Sequence, residues 1–375
     1  MLSFELKSDL IGQLSTLNQK IIQKQVLIQS LSREDQDAIY KLARVSQIGA
    51  STRIENAILT DAEVFWIDTM LVREAKTTAY KKFEQQIKNK LSKDRERSIE
   101  EVAGCRNMLF LIYEQARDLI PFTESTLRGL HAELLRYYPK AKHYLGQYKT
   151  MTNSVVEINQ VTNEQRVMFK TADPGPVTQS AMTDLLSWYH QALIKCPWTL
   201  VVACEFVFRF LAIHPFQDGN GRLGRGLFLF LLLQSPDITL AQVSRYVAID
   251  RQIEKHKEEY YLVLQRCSGA KYLTNPKKYK VEYFLKFMLK IFDEALDDID
   301  YYIDRVKTTK KLSETAQKVL QCMKDFPEKK MQTKDIVQQT RLPRRTAIYS
   351  LNTLLTAGLI QKYGQGAATQ YQVVF

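Results

Sequence analysis

The sequence predicts a mostly α-helical fold, and three observations lead there. Leucine and isoleucine recur at helical spacing, as in Leu6, Leu10, Leu14 and Leu17. Glycine and proline are scarce, at 14 and 10 in 375 residues, which disfavours a turn-rich β fold. Two apolar helical runs, Val201 to Ile213 and Leu227 to Leu233, flank a short polar loop, giving helix, tight loop, helix. The length suits about two or three domains. With 45% hydrophobic and 25% charged residues the chain can bury a core.

In order, residues 4 to 48 read as a helical hairpin, the second helix opening at Ser32-Arg33-Glu34-Asp35 and running through Leu42. Residues 61 to 80 continue helical. Lys81 to Glu101 alternate in charge, as a solvated linking helix does, and a boundary is placed there. Helical spacing resumes from Ala103 to Tyr138, with a helix starting at Thr123-Glu124-Ser125 and His131 read as a packing histidine. Val155-Val156-Glu157-Ile158 and Val167-Met168-Phe169-Lys170 are β-prone runs about a polar turn, hence a hairpin, closed by Pro174-Gly175-Pro176. Helices follow over 178 to 196, from Pro197 to His214, and from Tyr283 to Val306.

The chemistry concentrates in His214-Pro215-Phe216-Gln217-Asp218-Gly219-Asn220-Gly221-Arg222-Leu223-Gly224-Arg225. Gly219, Asn220 and Gly221 tolerate positive φ, so successive N–H groups can converge on one point. A loop of this kind opening a helix is a phosphate site, because first-turn N–H groups lack intrahelical acceptors. Arg222 and Arg225 are neighbours on that turn and suit a polyphosphate. Asp218 at the lip offers a hard oxygen for Mg²⁺. His214 can take a proton from a hydroxyl attacking phosphorus.

This stretch resembles the motif of the Fic family, H-P-F-x-[DE]-G-N-G-R-x-x-R, at every specified position. The resemblance implies a Fic-type helical bundle with a β-hairpin flap, and transfer of a nucleotide monophosphate, usually AMP from ATP, to a protein hydroxyl. It implies that His214 is the general base, Asp218 the Mg²⁺ ligand, Gly219, Asn220 and Gly221 the anion nest, and Phe216 a buried anchor. Arg222 and Arg225 would hold the phosphates. The ATP contacts extend to Leu223, Gly224, to the flap at Val167, Met168, Phe169 and Lys170, and to His256, where many members carry Asn before a basic residue. Ser51-Thr52-Arg53-Ile54-Glu55-Asn56 matches the family's inhibitory pattern, [ST]-x-x-x-E-[GN], which would set Glu55 against Arg225, with Ser51 on the same helix face. The flap would align a target segment by strand pairing. A homodimer and self-modification are further family expectations.

The tail, 309 to 375, reads as three helices and a hairpin and resembles a winged helix. Arg341, Arg344, Arg345 and Lys362 lie in a stretch without a carboxylate side chain, which suits DNA phosphates; a protein-interaction or dimer module is the other reading. The domains are therefore placed at 1–100, 101–308 and 309–375. The net charge of +12 points to an acidic partner. Five cysteines without a C-x-x-C pair, no signal-peptide pattern and no run long enough for a bilayer imply a cytoplasmic protein away from membranes. Other readings stay open: another nucleotide or phosphocholine donor, removal of AMP, or a DNA-binding regulator with a Fic sensor.

Overall fold

The computed structural model describes residues 2–72, 80, 84, 87, 96–158 and 165–374. Most of the charged run from Lys81, the hairpin turn at 159–164 and the side chains of Val167 and Met168 lie outside them. Helices dominate: α1 (Ser8–Gln29), α2 (Arg33–Ile54), α3 (Asp61–Val72), α4 (Glu96–Gln115), α5 (Glu124–Leu134), α6 (Pro176–Lys195), α7 (Thr199–Ile213) and α8 (Asn220–Leu233). They continue with α9 (Ile238–Ser244), α10 (Ile249–Lys255), α11 (Lys257–Ser268), α12 (Val281–Lys310), α13 (Glu314–Lys324), α14 (Thr333–Thr340) and α15 (Arg344–Thr356). Among the described residues no helix is long and apolar enough to cross a membrane.

Local chemistry sets the boundaries. Ser32 caps α2 by accepting the Asp35 N–H at 3.1 Å, and Thr123 caps α5 through Thr126 at 3.2 Å. Helix α2 does not stop near Leu42 but runs to Ile54, because its later residues are buried against α4 and α10. Asn56, at φ 70, ends it in a left-handed turn that asparagine tolerates. The expected hairpin of α1 and α2 is replaced by separate docking: both helices touch α12, but α1 also packs on α9, and α2 on α10 and α4. The stripe Leu10, Leu14, Leu17 and Ile21 of α1 is buried, and Leu14, Leu17 and Ile21 face Trp198, Leu200 and Leu240.

Helix α7 is buried along its whole length, and α8 nearly so, and the two pack on each other through the middle of the body. Gly224 permits this approach: a Cβ there would stand 2.9 Å from a Leu211 methyl. One hydrophobic cluster runs from Leu10 to Val306, so the first hundred residues share their core with the helices that follow.

The hairpin forms from β1 (Val155–Ile158) and β2 (Gln165–Phe169), antiparallel, with Val156 opposite Val167. Lys170 continues the second strand and bridges Lys271. The tail has its own core, Leu312 to Val373. It consists of α13, α14 and α15, then β3 (Ile360–Tyr363) and β4 (Gln370–Val373), which pair antiparallel. Arg305 of α12 joins the two cores by donating to the carbonyls of Gly358, at 2.8 Å, and Val374.

Candidate active site

Helix α7 ends because Pro215 cannot supply the next N–H. His214 therefore caps it in the left-handed region, φ 54 and ψ 60, still donating its backbone N–H to Phe210 at 2.8 Å. A carbonyl only accepts, so the 3.3 Å contact of Nδ1 with the Leu211 carbonyl places the ring proton on Nδ1. Nε2 keeps its lone pair. Burial pushes the imidazole pKa down to about 4, so the ring is neutral at physiological pH.

The loop after His214 is closed by its own side chains. Asn220 accepts the Phe216 N–H at 2.9 Å and donates to the Phe216 carbonyl at 2.7 Å. The Phe216 ring is fully buried and stacks on His131, with centroids 3.9 Å apart. His131 accepts the Gly146 N–H on Nδ1 and so carries its proton on Nε2, which donates to the Asp218 carbonyl at 3.0 Å. This histidine braces the loop rather than only filling the core. Burial lowers its pKa to about 4, which keeps this one tautomer. Gly219, at φ 79, starts α8, and its N–H donates to Asp218 Oδ1 at 2.6 Å. The first-turn N–H groups of 220 to 222 have no acceptor within α8, and with the positive end of its dipole they make the space at this helix start rich in donors.

Two cations border that space. Arg225 is buried; its Nε donates to Asp250 at 3.1 Å, and its Nη2 to the Ser51 carbonyl at 2.9 Å and to Glu55 Oε1 at 3.0 Å. Arg222 is also buried, yet its Nε–H and Nη1–H find no hydrogen-bond acceptor among the described residues. Its nearest carboxylates, Asp218 at 3.7 Å and Glu101 at 3.9 Å, are too far for hydrogen bonds. An anionic oxygen would satisfy these donors. Asp218 leaves 42% of its side chain exposed, so a carboxylate oxygen is open to a cation at the lip.

Glu55 fills the helix terminus. A Cβ built on Gly221 would run into Glu55 Oε1, so the carboxylate lies against the first turn of α8 where a phosphate would sit. Burial alone would raise the Glu55 carboxyl, but the charges of Arg225 and Arg222 outweigh it and hold the pKa below the usual value. Ser51 contributes its backbone carbonyl to Arg225. Arg53 anchors this end of α2: it grips Glu254 bidentately at 2.7 and 2.9 Å and Asp61 at 2.7 Å.

Residues 121–232 match the model of the Fic/DOC family. The chain carries a Fic/DOC domain. A Fic family protein from Desulfovibrio desulfuricans is 21% identical, with 100% of this chain and 98% of that chain covered and a TM-score of 0.55. A Fic domain containing signaling protein from Bacteroides thetaiotaomicron is 22% identical, covering 78% of this chain and 96% of that one, also at 0.55. Fic-1 from C. elegans is 13% identical, with coverage of 78% and 71% and a TM-score of 0.52. These three likenesses show the fold.

The Fic domain match ends before His256 and begins after Glu55, so Glu55 reaches the site only through tertiary packing. The His256 ring is engaged by Glu294 at 2.9 Å and lies 3.6 Å from Glu259. It is the neighbouring Lys257 that turns toward Asn56, at 3.2 Å, and its charge helps hold the Glu55 carboxyl down. Beneath the loop, sequence reasoning passed over Lys149 and Asn153. Lys149 is buried; Nζ donates to Asn153 Oδ1 at 2.8 Å, Thr171 Oγ1 at 2.9 Å and the Ile213 carbonyl at 3.1 Å, and its N–H donates to the Pro215 carbonyl at 2.8 Å. Asn153 donates to the carbonyls of Phe216, at 2.5 Å, and His214, at 3.4 Å. Burial lowers the Lys149 pKa to about 8. No signal in the sequence pointed to them, because the bridge from Tyr148 to Phe216 that brings this segment under the loop is a tertiary contact. Phe169 is buried and Lys170 exposed; Arg341, Arg344, Arg345 and Lys362 are exposed on the tail.

Proposed function

We propose that the Fic domain transfers AMP from ATP to a Ser, Thr or Tyr hydroxyl of a target protein, or of the chain itself, and that Glu55 restrains it. The observation that carries the reading is the Glu55 carboxylate seated at the α8 terminus and paired with Arg225, an anion where the donor's phosphates would bind. The N–H groups of 220 to 222 and the unsatisfied donors of Arg222 would take the phosphate oxygens. Arg225 would hold the outer phosphates once Glu55 has left. The target hydroxyl attacks the α-phosphorus, its proton passes to His214 Nε2, and the bond to pyrophosphate breaks. Both arginines stabilise the charge on the departing oxygens.

Mg²⁺ fits this site at Asp218. Among the described residues no cluster of three metal-ligating side chains exists, so a single exposed carboxylate suits an ion that keeps phosphate and water ligands. When bound it would supply charge neutralisation for the phosphates. The backbone of β1 and β2 would present an edge that registers the target segment beside His214.

The donor is tested by mass spectrometry of the Glu55→Gly chain incubated separately with ATP, GTP, CTP and UTP. AMP addition from ATP is expected to exceed the others; equal or greater labelling from another nucleotide overturns the adenylyl assignment.

For the tail we infer a winged helix. Arg344 and Arg345 stand exposed at the start of α15 beside exposed Tyr349, and Lys362 stands on the hairpin, an arrangement that suits a phosphate backbone. Duplex DNA binding by the full chain is expected to weaken steeply with salt and to weaken further in an Arg344→Ala, Arg345→Ala variant. Binding that ignores both would leave the protein-interaction reading.

A further inference from the structure

A second site lies far along α2 from Glu55, at the junction of the two cores. There α2, α3 and α12 meet the tail around a cleft of about 260 Å³. Its floor is apolar, with Phe65, Leu320 and Val373 among the walls. Its rim is cationic: Lys41, Arg305 and Lys324 all line it. Among the described residues no carboxylate comes within ion-pair distance of these three. Asp68, nearest to Lys41 in charge, is already held by Arg44 and Arg106 at 2.8 Å each, and Lys310 is matched by Glu34 and Asp35.

The crowding is unusual for a surface. Lys41 and Lys324 stand over the same Phe65 ring, at 4.3 and 5.2 Å from its centroid. Lys41 otherwise donates to the neutral hydroxyl of Thr69, and Arg305 to two backbone carbonyls. Burial, then the charges of Arg305 and Lys41, push the Lys324 ammonium pKa down. Like charges brought together over apolar surface repel, and an anion between them would relieve that repulsion. An apolar floor and a cationic rim call for a ligand with both features.

We propose that this cleft binds an amphiphilic anion: a carboxylate or phosphate head between Lys41, Arg305 and Lys324, with a short apolar tail against Phe65, Leu320 and Val373. Such a ligand would tie the tail to α2, the helix that leads into Glu55. The test is calorimetric titration of the full chain with octanoate, octyl phosphate and 1-octanol. Both anions are expected to bind about tenfold or more tightly than the alcohol, and their order tells a carboxylate ligand from a phosphate ester. A Lys41→Gln, Lys324→Gln variant with unchanged melting temperature is expected to lose about tenfold in octanoate affinity while binding 1-octanol as before. Octanol binding as tightly as octanoate, or octanoate binding unaltered in the double variant, overturns the proposal.

Discussion

Replacing Glu55 with glycine is expected to raise self-labelling with AMP by about 10- to 100-fold, the range that a coupling of about 1–3 kcal/mol between mutually exclusive ligands gives. Glu55 is bonded to Arg225 and lies against the first turn of α8, where on the proposed reading it would compete with the outer phosphates of the donor. Removing one frees the site for the other. ATP affinity, measured by calorimetry, should rise by a similar factor. Glu55→Gln keeps the side chain's shape but not its charge, and should fall between the two. Labelling and affinity that stay at the starting level in both variants would sink the restraint. Mild acid is not a substitute for the mutation. The Glu55 carboxyl is held below its usual pKa, so its pairing is fully present above the unfolded value and is lost only as pH falls through the lower folded one. Relief at neutral pH therefore requires moving the end of α2, which Arg53 ties to Glu254 and Asp61.

His214→Ala, made in the Glu55→Gly background, is expected to lower transfer by about 10²- to 10⁴-fold, the usual contribution of a general base. ATP affinity should change by less than about twofold, because the cradle is backbone and arginine rather than imidazole. Transfer at the parent rate would remove His214 from the mechanism. The pH profile adds an independent check. A base must be unprotonated, and burial holds this ring to about 4, so the rate should stay level between about pH 6 and 8 and fall only in stronger acid. The Glu55 charge works to raise the ring's pKa, so its removal should move the fall further toward acid. A half-maximal rate near about pH 6.5 would indicate a solvated imidazole and contradict the buried position.

The twelve-residue stretch from His214 disclosed its own conformation because it is local. The proline that stops α7, the glycine that opens α8 and the arginines of one helical turn are set by chain neighbours. The helix caps at Ser32 and Thr123, the hairpin strands and the three helices of the tail were legible for the same reason. The reach of α2 to Ile54 was not, because burial against distant helices extends it past a sequence that reads as ending near Leu42.

The sequence alone determined a histidine, glycines and arginines suited to an anion cradle, and a Ser-x-x-x-Glu pattern whose glutamate stands 170 positions before the arginine it meets. Only the tertiary structure decided that Glu55 occupies the cradle, that Arg222 keeps unsatisfied buried donors, and that His131, Lys149 and Asn153 hold the loop from beneath. It also decided that Lys257 rather than His256 turns toward Asn56, beside Glu55. Periodicity and capping report on residues a few positions apart; contacts across the chain depend on how whole helices pack, and no spacing in the sequence encodes that.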